Sequence, residues 1–331
     1  MQPAPVEEGG GRPCAVASEH VRCAVCDGDQ ARTYRSRMYA IGAVRFDLVR
    51  CRCCGLVYVD PRPDGATLAR MYDDPAYYGE GYNLGVESEN YFERKDELLR
   101  LYDAELERIE REVGGRGDVL ELGSAGGFFL EAGRRRGWRV RGVELSPVAA
   151  RYSKAELGLD VFEGLLEDAP FEPRSFDLCV ADNVLEHTTA PSAVARDLCR
   201  LLRPGGHLLV VVPTYVNSSW FRLLSALRRV LPRSLLGGRL LRLLKVDPGH
   251  DGGYPYHVLE FDRRTLLRLL RATGLEIVSA RGSLPLPAHL FKVARPGPRV
   301  RLLRGVFSAL DLLMRAGLLP GARLRVLARK R

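Results

Sequence analysis

Between residues 116 and 213, short runs of strand character alternate with longer stretches of helical period. Val119–Leu122, Arg139–Glu144, Asp160–Phe162, Ser175–Ala181 and His207–Pro213 are bounded by Gly, Pro, Asp or Ser and predict five strands. Phe128–Gly137, a segment opened by Ser146-Pro147, and Ser192–Leu202 predict the helices between them, with Ser146 as cap and Pro147 in the first turn. Pro204-Gly205-Gly206 predicts a turn before the fifth strand. This alternation predicts an α/β fold with a parallel, doubly wound sheet. Upstream, Lys95–Val113 predicts a helix with Leu98, Leu99, Leu101, Leu106 and Ile109 as its apolar positions.

Two further segments carry leucines at helical spacing among arginines. In 218–245, Trp220, Leu224, Leu227 and Leu231 share one face and Arg222, Arg228 and Arg229 lie elsewhere; Arg301–Gly317 repeats the pattern with Leu303, Val306, Phe307, Leu310 and Leu313. Such helices suit a membrane interface or an ordinary active-site lid. The net charge of +9, from 50 Lys+Arg against 41 Asp+Glu, leaves nucleic acid, membrane surface and acidic substrate open. Hydrophobic residues at 46% and charged residues at 27% are ordinary for a globular chain. Met1–Pro13 is Pro/Gly/Glu-rich without an apolar core, so residues 1–18 are expected to be a tail and the protein cytoplasmic, with peripheral contact at the inner membrane surface as an option.

Six of the eight cysteines fall in the first 54 residues. Cys23-Ala-Val-Cys26 and Cys51-Arg-Cys-Cys54 are two CxxC knuckles whose separation suits a tetrahedral thiolate site, with Cys53 as a competitor for the last position. Four thiolates leave no place for a catalytic water, so 19–62 reads as a zinc-ribbon-like module with structural zinc. The intervening stretch, with five arginines and two tyrosines, keeps nucleic-acid binding as an alternative use.

The turn in "VLELGSAGGFF" (119–129) lacks the G-x-G-x-x-G of a dinucleotide site and the G-K-[ST] of a P-loop. Glu121, two positions before Gly123, would repel a pyrophosphate and suits an ammonium or a sulfonium. Glu144, at the tip of the second strand, is placed to accept hydrogen bonds from both ribose hydroxyls. A nucleoside with a cationic far end is implied, and S-adenosylmethionine fits.

"VLELGSAGGFF", "GVELSP", "SFDLCVADNVLEH" and "LLRPGGHLLVVVP" together resemble a class I S-adenosylmethionine-dependent methyltransferase. "RCRCCGLVYVDPRP" ahead of them is similar to a bacterial subgroup with an N-terminal zinc-binding module, and "GARLRVLARK" matches that family's last, antiparallel strand. The resemblance implies a Rossmann-like sheet over 116–331, interrupted by a lid at 214–258 and a helical insertion at 285–320, with 63–115 as a helical connector. It implies Glu121, Gly123, Ser124, Ala125 and Gly127 around the methionine moiety, Glu144 on the ribose, and Asp182 and Asn183 beside the methyl donor. Ala125 replaces a usual glycine, and Leu165 replaces a common adenine-contacting Asp. Adenine is then expected to be held by apolar contact, with Leu145, Leu165 and Leu166, and by backbone groups, or by Glu167 or Asp168 one turn later.

For the chemistry, Glu186-His187 follows the fourth strand at the carboxyl edge, and His187 is a candidate base or a residue that orients Glu186. His257, in "GGYPYHVLEFD", is a candidate base or substrate ligand, with His250 and Asp251 in the same loop. The tyrosine-rich stretch 71–95 is expected to form a lid, Tyr78 and Tyr82 being its donor contacts, or a packing seam. Three acceptor readings follow: a small or carrier-linked metabolite such as a sugar or natural-product scaffold, a lipid-linked acceptor, or RNA. The last is disfavoured because "DNVLEH" lacks the Asn-Pro-Pro-aromatic sequence of enzymes that methylate base nitrogens. Oligomeric state has no signature in the sequence.

Overall fold

The computed structural model describes residues 16–73, 91–219, 222, 256–284 and 297–331. Near the amino end, β1 (Ser18–Glu19) pairs with β5 (Arg62–Pro63), while β2 (Ala31–Ile41), β3 (Val44–Cys51) and β4 (Val57–Val59) form an antiparallel sheet. The arginine-rich stretch between the cysteine knuckles is therefore the β2–β3 hairpin rather than an open loop. Arg50 stacks over the Tyr34 ring at 4.5 Å from its centroid and donates to Asn217, so this arginine is committed to packing. Helix α1 (Gly65–Asp73) follows, and α2 (Lys95–Val113) leads into the large sheet.

That sheet contains β6 (Asp118–Leu122), β7 (Arg139–Glu144), β8 (Val161–Glu163), β9 (Phe176–Asp182), β10 (Leu202–Pro213), β12 (Leu275–Ser283) and β13 (Arg323–Lys330), in the order β12-β13-β10-β9-β6-β7-β8. Strands β6 to β10 are parallel, and β13 inserts antiparallel between β10 and β12. The expected doubly wound, Rossmann-like sheet with a last antiparallel strand is present. Its order reverses between β6 and β9, the place where open α/β sheets bind ligands at their carboxyl edge.

Side chains alternate across the strands, which divides the core into two layers. Val119, Leu178, Val180, Leu209 and Val211 face α2, α3 (Phe128–Arg135) and α4 (Pro147–Leu157). Leu120, Cys179, Ala181, Leu208, Val210 and Val212 face α5 (Pro191–Leu201), α6 (Arg263–Ala272) and the cysteine module. Cys23, Cys51, Cys54, Leu56 and Tyr58 belong to this second layer. The module's sheet is also completed by β11 (Leu259–Glu260), a strand from far down the chain that pairs with β4.

Several local expectations are corrected. Pro204-Gly205-Gly206 falls within β10 rather than before it, as an irregularity in which Gly205 is left-handed (φ +80°) and the register against β9 shifts between Leu202 and His207. Leu101 is 56% exposed, since its helical angle turns it away from the face that buries Leu99, Leu106 and Ile109. The Ser146 hydroxyl makes no cap; the Glu144 carboxylate instead takes the Ser146 N–H at 2.8 Å. Helix α7 (Pro298–Arg315) covers part of the second insertion, and 223–250 lies outside the described residues.

Candidate active site and metal centre

At the carboxyl edge, β6 runs into the glycine turn. Gly123 (φ +70°) and Gly127 (φ +76°) are left-handed, and Ala125 joins them at +47° although it carries a Cβ. A Cβ on Gly123 would stand 2.6 Å from the Val184 methyl, and one on Gly127 2.5 Å from Leu159, so bulk at either place displaces the turn. Gly123→Ala is expected to cost about 1–2 kcal/mol of stability through the left-handed backbone. It should also weaken S-adenosylhomocysteine binding at least tenfold; calorimetry and a melting curve on the same sample check both, and unchanged affinity would remove the turn from the donor site.

Glu144 holds this turn from β7. One carboxylate oxygen accepts the Ala125 N–H at 2.7 Å and the other the Ser146 N–H at 2.8 Å. Each oxygen keeps lone-pair capacity for a hydroxyl outside. Beside it, Glu121 is buried, and its Oε2 has no hydrogen-bond partner among the described residues; neither has the hydroxyl of Ser124 or of Ser146. Burial, then the charges of Asp182 and Glu144, push the Glu121 carboxyl well above the usual range. A ligand bearing an ammonium and a sulfonium supplies what this carboxylate lacks, so the residues fit S-adenosylmethionine. Leu145 (44% exposed) and Leu165 (49% exposed) present apolar surface beyond β7 and β8, as a flat base requires, while Leu166 is buried behind them. Asp182 is held by Arg323 through two contacts of 2.9 Å and accepts from Asn183, whose φ is +54°. Tyr78, Tyr82, His250 and Asp251 lie outside the described residues.

Past β9, Glu186 is fully buried, and neither of its oxygens has a hydrogen-bond partner among the described residues. His187 Nδ1 donates to the Tyr256 carbonyl at 2.8 Å, and its Nε2 stands 3.7 Å from Glu186 Oε1. The His257 ring meets His187 edge-on at 4.8 Å between centroids. Burial pushes His187 down to about 4, and burial with the neighbouring His187 pushes His257 down to about 3. Both rings are thus neutral at neutral pH, and neither is a strong base unaided. Glu260, which sequence reasoning did not single out, accepts from Tyr39 of β2 at 3.3 Å and stands 3.9 Å from His257 Nδ1; burial raises it to about 8. Arg323 was missed as well, because it comes from β13 and no local motif marks a partner so distant.

The cysteine centre has Cys23 Sγ 3.4 Å from Cys54 Sγ and Cys26 Sγ 3.6 Å from Cys51 Sγ, with all four sulfurs within 4.8 Å of one another. A tetrahedral ion with bonds of about 2.3 Å places sulfurs roughly 3.8 Å apart, so the donor set fits zinc. Cys53 is exposed and is not one of the four clustered sulfurs. A cleft of about 360 Å³ at the opposite edge of the sheet is lined by Asp118, Arg139 and Arg203, which already pair with one another.

Comparison with known proteins agrees with this geometry. The profile of a family described as "Methyltransferase domain" matches residues 92–280. A Mycolicibacterium smegmatis protein named "Probable S-adenosylmethionine-dependent methyltransferase" is 27% identical over 210 residues, 62% of this chain and 66% of that protein. A "Ubiquinone biosynthesis O-methyltransferase" of Ralstonia nicotianae is 35% identical over 96 residues, 27% of this chain and 40% of its own length. The chain thus spans less than two thirds of the length of these curated relatives. A solved S-adenosylmethionine-dependent methyltransferase from Archaeoglobus fulgidus aligns with a TM-score of 0.45 at 15% identity, covering 73% of this chain and all of that one. With the family match covering more than half of the chain, the chain belongs to the S-adenosylmethionine-dependent methyltransferases.

Proposed function

We propose that the chain methylates a hydroxyl oxygen of a small or carrier-linked metabolite, of sugar or natural-product type. The observation that carries the reading is the pair of neutral imidazoles, His187 and His257, beside Glu186 at the carboxyl edge, where an acceptor meets the donor cleft. Curated relatives named as O-methyltransferases support oxygen as the nucleophile. Transfer forms the oxygen–carbon bond and breaks the carbon–sulfur bond, whose electron pair stays on sulfur, and the hydroxyl proton leaves to solvent. In this reading Glu121 and the 123–127 turn hold the methionine end, Glu144 the ribose, and Leu145, Leu165 and Leu166 the adenine. Asp182 and Asn183 border the methyl group, and the four cysteines hold a structural zinc.

Incubating the protein with ¹³C-methyl donor and an extract of its source organism, then partitioning into aqueous and organic phases, tests the reading. A methoxyl carbon resonance in the aqueous phase is expected; a C-methyl or N-methyl product would overturn it. A lipid-linked acceptor has one observation in its favour, the exposed Leu302 (69%), Leu312 (68%), Val306 and Leu313 on α7, among its arginines. Among the described residues no helix is long and apolar enough to cross a membrane. Flotation with anionic vesicles, together with label in the organic phase, would favour that acceptor.

A further inference from the structure

We infer that Glu186, His187 and His257 form a second metal centre, a site for a divalent transition ion on the acceptor side of the cleft. One ligand atom from each residue can be chosen so that all lie within 4.8 Å of one another. The shortest charged approach, His187 Nε2 to Glu186 Oε1 at 3.7 Å, is already close to the spacing of roughly 3.4 Å that bonds of about 2.1 Å impose in a tetrahedron. Small side-chain rotations close the rest.

Three features point to a cation rather than to packing alone. Glu186 is 0% exposed with both oxygens unsatisfied among the described residues, an arrangement that costs free energy unless something positive or donating completes it. The His187 tautomer is fixed by its bond to the Tyr256 carbonyl, which accepts only; Nδ1 carries the proton and Nε2 turns its lone pair toward Glu186. On the other ring, Glu260 stands near Nδ1 of His257, the outer carboxylate that commonly orients a metal-binding imidazole.

Two imidazoles and one carboxylate suit zinc, iron, cobalt or nickel better than magnesium or calcium. Unlike the four-cysteine centre, three protein ligands leave positions open, and His187 (17% exposed) and His257 (21% exposed) reach the surface of the cleft. An oxygen ligand from the acceptor can occupy such a position. The ion's use in the reaction rests on the hydroxyl-acceptor reading, whereas its binding does not.

The test is a Co(II) titration of the full-length chain carrying zinc at its cysteines, followed by visible absorption and by metal analysis after gel filtration. One further equivalent is expected, without the intense near-ultraviolet bands of thiolate-bound cobalt. His257→Gln and Glu186→Gln should each weaken it by about 100-fold, with melting temperature, zinc content and S-adenosylhomocysteine affinity retained. No extra equivalent, or equal binding by both variants, would overturn the inference. A second metal with a C-methyl product would sink only the acceptor reading, and a methoxyl product without a second metal only the metal centre.

Discussion

Glu144→Ala should weaken S-adenosylhomocysteine binding by about 3 kcal/mol, roughly a hundredfold, and lower stability as well. Two effects combine. The ribose loses a charged acceptor, whose hydrogen bonds contribute about 1.5–3 kcal/mol. Ala125 and Ser146 also lose the acceptors of their backbone N–H groups, both in buried surroundings, at about 1–3 kcal/mol for each group left unsatisfied. The two oxygens that hold the turn are thus the same two that the proposed ribose contact would use. Glu144→Gln separates the roles, because its amide keeps one accepting oxygen and the side-chain volume. Titration calorimetry with S-adenosylhomocysteine, alongside thermal unfolding, gives both numbers for both variants. A destabilised Ala variant that still binds normally would make Glu144 a support of the turn alone.

The parallel sheet and its glycine turn are legible in the sequence because their signals are local. Glu121, the glycines and Glu144 each sit at the end of a strand whose pattern is visible within ten residues, and helix α2 follows from apolar spacing alone. The surroundings of Glu186 are less legible because they are assembled from distant segments. Val258 and Leu259 donate their backbone N–H groups to the Glu186 carbonyl, and Glu260 enters the module's sheet as part of β11. A two-residue strand has no periodicity to read. The same limit hid the Asp182–Arg323 pair, since only the antiparallel return of β13 brings them together. Ser146 does stand at the N-cap of α4, but its hydroxyl accepts no N–H there, and the residue is tied instead through its own N–H to Glu144.

Cys51→Ala should lower the melting temperature sharply and reduce methyl transfer at least tenfold, while S-adenosylhomocysteine affinity stays within about threefold. Structural zinc in small thiolate modules contributes on the order of 10 kcal/mol to folding, so losing one ligand removes a large part of what holds 19–62 together. The consequences spread along hydrogen bonds. The Cys51 N–H donates to the carbonyl of Leu56, just before β4; β4 carries β11, and the Val59 N–H donates to the Val258 carbonyl. Val258 and Leu259 in turn hold the Glu186 backbone, and Tyr39 of β2 holds Glu260. Loosening the module is therefore expected to release His257, Glu260 and Glu186, where the acceptor is proposed to bind. The donor turn is anchored elsewhere, by Val143, Glu144 and the helices of the opposite layer. A substitution is the better probe than a chelator, which would also strip any ion from the histidine cluster. Donor affinity that collapsed together with the melting temperature would show that the module supports the whole sheet, whereas an unshifted melting temperature would argue against a structural metal at the four cysteines.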